Sequence, residues 1–267
     1  MQILAIDTST EFLSLALWLD GRLLSRDIHA GQTHSQQILP MLRELLDEAQ
    51  VELKALDGIA FGAGPGSFTG LRIACGVAQG LAFGADLPVL PIDTLLAVAE
   101  EARAAAAAAG TAPVTRVLAV MDARMEQVYV AAYEFTPNAT NAATDDAEHM
   151  QGTWRCVQAP ELHSPESLQW PADWSQDGFI AAGNAWPVYA GRWPAALSAP
   201  QVLALPTAAA LLRLAPAAWA AGQAVPPEEA LPLYIRDKVA QTTDERLQIK
   251  AQQAAQLAQA SPPTSSL

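Results

Sequence analysis

The chain opens with MQILAIDTSTEFLSLALWLDGRLLSRDIH, residues 1–29. Gln2–Ile6 is an apolar run that stops at Asp7. Phe12–Leu19 is a second run, and Arg22–Ile28 returns after Asp20-Gly21. An Asp-Gly pair between two such runs marks a tight hairpin, because its turn needs residues that tolerate positive φ. The reading is a three-stranded meander whose first strand is central. The signature recurs later. Val117–Met121 is an apolar run that ends at Asp122, and Val128–Phe135 alternates behind it. Two aspartate-ended strands, each with a meander, point to an α/β fold made of a duplicated mixed-sheet unit, not to one doubly wound domain.

The stretches between supply the remaining elements. Ile38, Met41, Leu42, Leu45 and Leu46 within Thr33–Gln50 recur at helical spacing and predict one buried face. Asp57–Phe61 reads as a strand. GAGPGSFTGLR, Gly62–Arg72, reads as a tight glycine-rich loop opening a helix that Ser67 or Thr69 can cap. That helix runs to about Phe83, and Gly76 and Gly80, four apart, allow close packing. Leu87–Ile92 is a strand, Asp93 a candidate cap for a helix over Thr94–Ala109, and Gly110 its end. Further on, Pro137–Gly152 is a polar loop, Pro165–Gln169 a short helix, Phe179–Ala182 a strand and Thr207–Ala221 a helix. The domain reading is 1–110, 111–235 and a Gln/Ala-rich polar tail over 236–267, with helix 207–221 a candidate to pack back on the first unit.

Fifteen basic residues against 28 acidic ones give a net charge of -13. A chain that grips nucleic acid unaided needs a basic surface, so this one is not expected to do so. With 51% hydrophobic residues it is not a disordered chain. Cys75 and Cys156 read as reduced thiols of a cytoplasmic protein. The N-terminus lacks the pattern of a secretory signal, and Leu205–Ala221, interrupted by Arg213 and two prolines, reads as a helix outside the membrane.

Each candidate site residue has two readings. Asp7 at a strand end can hold Mg²⁺ or order water near a phosphate, or it can cap its own turn. The Gly62–Arg72 loop, with Gly64, Pro65, Gly66, Ser67, Phe68, Thr69 and Gly70, can cradle a phosphate between backbone N–H groups and Arg72. It can equally be a tight turn that needs glycine. It is neither a Walker A nor a GxGxxG motif. His34 begins a helix, but the residue four further on is Ile38, and His29, His149 and His163 lack ligand spacing, so no metal site is expected. Ser67 lies in PGSFTG, not GxSxG, which argues against a serine hydrolase. Asp122, Arg124, Glu126 and Tyr129 form a polar cluster readable as an ion pair or a site. Tyr234 and Arg236 suggest a docking strand or loop.

ILAIDTST, GAGPGSFTGLRIACGVAQGLA, MDARMEQVYVA and PLYIRDKVA stand in that order between Met1 and Ala240, and together they resemble the bacterial TsaB, or YeaZ, family. The resemblance implies an actin-like, ribonuclease H-like fold of two subdomains. It implies a noncatalytic subunit that works with TsaD and the ATPase TsaE to place a threonylcarbamoyl group on adenosine 37 of tRNAs reading codons that begin with A. It further implies pairing with TsaD through N-terminal subdomains, an alternative homodimer, tRNA contact only through the complex, and no tightly bound cofactor. Any weakly held nucleotide would lie near the partner contacts. TsaD binds metal through two histidines four residues apart, and here the matching positions are His34 and Ile38. His34, Ile38, Met41, Leu42 and Leu45 on the first helix, and Leu71, Ala74 and Ala78 on the glycine-spaced one, become interface candidates, with Leu42→Glu expected to weaken pairing. The alternative is an autonomous ATP-using phosphotransferase, with Asp7 and Asp122 as its Mg²⁺ ligands.

Overall fold

The computed structural model describes residues 1–111, 113–138, 152–175 and 178–236. Most of the polar loop (139–151) and most of the tail (237–267) lie outside the described residues. Met1–Ile235 form one compact unit, and Arg236–Leu267 fall in a second. The first unit contains two five-stranded sheets. One is built from β1 (Gln2–Asp7), β2 (Phe12–Leu19), β3 (Arg22–His29), β4 (Gly58–Gly64) and β5 (Val89–Asp93), in the order β3-β2-β1-β4-β5. The other is built from β6 (Arg116–Asp122), β7 (Val128–Pro137), β8 (Gly152–His163), β9 (Ile180–Ala182) and β10 (Gln201–Val202). Its order is β10-β9-β6-β7-β8. The second sheet therefore repeats the first strand for strand. In both, the aspartate-ended strand is central, antiparallel to the strand after it and parallel to the fourth.

The alternation of side chains along each central strand assigns the layers. Leu4 and Ile6 of β1 face one side, where they meet Ile38, Met41, Leu42 and Leu45 of α1 (His34–Ala49) and Ala74, Ala78 and Ala82 of α2 (Phe68–Ala85). Ile3 and Ala5 face the other side, against Ala208, Leu211 and Ala215 of α5 (Ala208–Ala220). Helix α5, which follows the second sheet in the chain, thus seals the first one. Helix α3 (Thr94–Ala108) packs Leu95, Val98 and Ala102 on Val117, Ala119 and Met121 of β6. The outer face of the second sheet is closed by Trp174, Phe179, Trp186 and Tyr189 from loops and from the short α4 (Ala185–Val188). Burying one such leucine or isoleucine fully is worth about 2 kcal/mol.

Caps fix where the helices begin. Ser67 accepts from the Gly70 N–H, Asp93 from Leu95 and Leu96, and Thr207 from Ala210. So Ser67, not Thr69, caps α2. Strand β8 was not read from the sequence. Its residues are mostly half-exposed and it contains Pro160, as suits an edge strand whose pattern owes little to burial. Among the described residues no helix is long and apolar enough to cross a membrane.

A buried ionic network ties α3, α5 and β8 together. The Glu100 carboxylate accepts from Arg103 Nη2 at 2.7 Å, Arg213 Nε at 3.0 Å and Trp154 Nε1 at 2.9 Å. Glu100 and Arg103 side chains are each 4% exposed. Removing one partner of such a pair leaves the other charge buried and uncompensated. Glu100→Ala is therefore expected to cost about 3–5 kcal/mol in urea unfolding, whereas Glu101→Ala, which removes a part-exposed partner of Arg213, costs about 1 kcal/mol or less.

Candidate functional site

The turn after β1 and the glycine-rich loop after β4 lock onto each other. Ser67 N–H donates to the Ser9 carbonyl at 2.8 Å, and Thr8 Oγ1 donates to the Gly70 carbonyl at 2.7 Å. Gly64 N–H donates to Thr94 Oγ1 at 3.0 Å. A Cβ on Gly70 would come within 1.8 Å of the Thr8 carbonyl oxygen, and one on Gly62 within 1.9 Å of Asp7 Oδ2. Glycine is needed at 70 for the approach of two backbones and at 62 to make room for the Asp7 carboxylate. The N–H groups of residues 64, 67 and 70 that a phosphate would use are already donated within the chain. Of the two readings of Gly64, Pro65, Gly66, Ser67, Phe68, Thr69 and Gly70, these contacts support the tight turn, because the chain's own first turn packs into the loop.

Asp7 belongs to the same packing. It is 1% exposed, and its Oδ1 accepts from the Ser9 N–H at 2.9 Å and from Ser9 Oγ at 2.7 Å. Its Oδ2 is buried without a hydrogen-bond partner. Burial pushes its pKa up to about 7 against the Ser9 hydrogen bonds. A carboxylate so enclosed caps its turn and is not open to solvent as a Mg²⁺ ligand. The folded chain holds a proton that the unfolded chain releases from about pH 4 upward. Stability from this group is thus full below pH 4, falls as the pH rises toward 7, and levels off above it. Asp7→Asn is expected to abolish that fall, a difference of order 4 kcal/mol between pH 4 and 8, measurable as urea midpoints across pH.

Asp122 occupies the corresponding strand end in the second sheet, and it is also engaged. Its carboxylate accepts from Arg124 N–H at 2.8 Å and Tyr189 Oη at 2.8 Å, and pairs with Arg124 Nη1 at 2.9 Å. Its own N–H donates to Asn184 Oδ1 at 2.9 Å. Burial first, then the bond to Asp122, push the Tyr189 hydroxyl up to about 12, so it remains a donor. Arg124, Met125 and Glu126 all hold positive φ, a tight left-handed turn. Glu126 reaches Arg192 at 3.8 Å, and Tyr129 is 8% exposed in the core. The Asp122 cluster is a braced turn. Sequence reading missed Asn184, Tyr189 and Arg192, which lie about 60–70 residues away along the chain.

The late Tyr234 meets the glycine-loop motif. Leu233 N–H donates to the Ala63 carbonyl at 2.7 Å. Arg72 Nε donates to Tyr234 Oη at 3.1 Å, and its guanidinium lies 3.8 Å above the Phe68 ring. Arg236 begins the second unit.

The interface candidates need correction. His34, Ile38, Met41, Leu42, Leu45, Leu71, Ala74 and Ala78 are all buried at 8% exposure or less within the first unit. His34 Nε2 lies 3.1 Å from the Phe12 carbonyl, pinning α1 to β2. These faces pack on their own sheet because its apolar side would otherwise stand in water. Leu42→Glu would break the core instead of probing a surface. The open faces lie opposite: Leu39 on α1 is 52% exposed and Phe83 on α2 is 80% exposed. Gly76, Gly80 and Gly84 of α2 have nothing within 4 Å of where a Cβ would stand. The sequence signal was a glycine repeat offset from the buried Ala74, Ala78 and Ala82 of the same helix.

Residues 28–243 match the family model of TsaD, tRNA N6-adenosine threonylcarbamoyltransferase. The "tRNA threonylcarbamoyladenosine biosynthesis protein TsaB" of Escherichia coli is 38% identical over 90% of this chain and 96% of its own length. The protein of the same name from Haemophilus influenzae is 36% identical over 90% of this chain and 95% of its own. The chain belongs to the TsaB family. The solved YeaZ of Pseudomonas aeruginosa superposes with a TM-score of 0.72 at 41% identity, covering 87% of this chain and 99% of that one. These relatives align over both sheets, and the solved YeaZ shares the fold of this chain.

Proposed function

We propose that this chain is a noncatalytic scaffold of tRNA threonylcarbamoyladenosine synthesis, working in the cytoplasm. It pairs with a TsaD-type catalytic subunit and a TsaE-type ATPase, and holds no tightly bound cofactor of its own. The observation that supports this reading best is the outer face of α2. Three glycines at four-residue steps stand open there, with Phe83 exposed beside them. Glycine inside a helix costs about 0.5–1 kcal/mol relative to alanine, and none of the three gains an internal contact in return. Bare backbone beside an exposed aromatic ring suits a second helix approaching closely. A TsaD-type subunit shares the fold and is the expected occupant.

The two strand-end carboxylates support the same reading from the other side. Asp7 and Asp122 are engaged in bracing their own turns. No observation favours the autonomous phosphotransferase. The charge assigns roles as well: with a net -13, the basic surface that meets tRNA belongs to the partners.

The test is reconstitution with purified TsaD-type, TsaE-type and adenylate-forming proteins, with tRNA modification as readout. Omitting this chain is expected to abolish modification, and modification by this chain alone would contradict the proposal. Gly80→Leu is expected to abolish pairing and modification without unfolding the chain. Gly80→Ala is expected to raise the unfolding free energy of the isolated chain by about 0.5–1 kcal/mol while weakening pairing, by thermal melts and calorimetry.

A further inference from the structure

Ten arginines stand between residues 22 and 213. Eight of them have a carboxylate within ion-pair distance: Arg26, Arg43, Arg103, Arg116, Arg124, Arg155, Arg192 and Arg213. Among the described residues, Arg22 and Arg72 do not. Arg22 starts an exposed edge strand, whereas Arg72 is held in a defined pose. Its Nε is used by Tyr234 and its plane lies over Phe68, which in turn packs on the Tyr234 ring with centroids 5.4 Å apart. Two aromatic side chains, one brought from the far end of the described chain, thus fix a guanidinium that pairs with no acid among the described residues. In a chain with 28 acidic residues, that arrangement needs an explanation.

The position on α2 supplies one. Arg72, Gly76, Gly80 and Gly84 follow each other at four-residue steps, and such steps form one ridge of a helix. All four are exposed. Arg72 is therefore the head of the open glycine ridge. Around it lie exposed apolar side chains of the late segment, Leu233 at 42% and Tyr234 at 44%. A guanidinium preorganised by stacking loses little freedom on binding, and its fork matches a carboxylate in two parallel hydrogen bonds.

We infer that Arg72, presented by Phe68 and Tyr234, receives an aspartate or glutamate carboxylate of the protein helix that docks on the α2 ridge. The inference rests on the scaffold reading and adds the chemistry at one end of that contact. In a chain with a net charge of -13, a fixed arginine that pairs with no described carboxylate also sets the register of docking.

Calorimetry of the full-length chain with a TsaD-type subunit tests it, at 0.05 M and 1 M salt, where screening differs strongly. Arg72→Gln is expected to weaken pairing about tenfold or more at low salt, with the difference largely gone at 1 M. Arg72→Lys, which keeps the charge but loses the fork and the stacked plane, recovers only part of the affinity. Tyr234→Phe, which removes the hydrogen bond that helps hold the guanidinium but leaves its charge and the stacking on Phe68, weakens pairing clearly less than Arg72→Gln. Thermal melts of the variants check that each is folded. If Gly80→Leu abolishes pairing but Arg72→Gln leaves it unchanged at both salts, the ridge is an interface and the inference is wrong. A loss in Tyr234→Phe as large as in Arg72→Gln also overturns it, because Arg72 would then only anchor the late segment. If the parent chain does not pair at all, the scaffold reading fails and takes this inference with it.

Discussion

The fold depends on one close approach, between the turn Asp7–Thr10 and the loop Gly62–Gly70. The Thr8 carbonyl sits where a side chain on Gly70 would be, and Thr8 Oγ1 donates to the Gly70 carbonyl. That contact brings the first turn of α2 directly over the end of β1. It fixes which side of α2 meets the sheet, and so which side remains in water. The Ser67 cap and the Gly64–Thr94 bond hold the same loop from two further directions. A motif that looks like a phosphate cradle is here an internal clasp, with the N–H groups of Gly64, Ser67 and Gly70 donated within the chain.

Helix α2 then has two faces made of small residues for different reasons. Ala74, Ala78 and Ala82 are fully buried and let the helix lie close on its sheet. Gly76, Gly80 and Gly84 are offset and open. Alanine would serve the isolated chain better at those three positions, since glycine weakens a helix. That stability cost without an internal return is what the proposed docking of a partner helix on this face accounts for. Arg72 at the head of the ridge and Phe83 near its end frame that surface with one fixed cation and one exposed ring.

Much of this was legible in the sequence. The two aspartate-ended strands revealed the duplication, and the strand orders of the two sheets repeat element for element. The apolar spacing of Ile38, Met41, Leu42 and Leu45 correctly marked a buried face on α1. The resemblance makes the same residues interface candidates, but the chain's own sheet covers them. Periodicity reports which face is apolar and cannot say whether the chain's own sheet or a partner covers it. The edge strand β8 was missed because an exposed strand with Pro160 carries little alternation. The bracing of Asp122 by Asn184 and Tyr189 was out of reach, since only the fold brings those residues together.

Most arginines of the described residues have a carboxylate in ion-pair range, the strand-end carboxylates brace their own turns, and the outer faces of α1 and α2 are where we propose that a partner docks. Hydroxyl-radical footprinting of the chain, alone and mixed with a TsaD-type subunit, tests this most directly. Phe83 and Leu39 report on the α1–α2 side, while Val188 and Leu203, 54% and 70% exposed, report on the second subdomain. Protection of Phe83 and Leu39 in the complex, with Val188 and Leu203 unchanged, is the predicted result. Protection confined to Val188 and Leu203, with Phe83 as reactive as in the free chain, would contradict it.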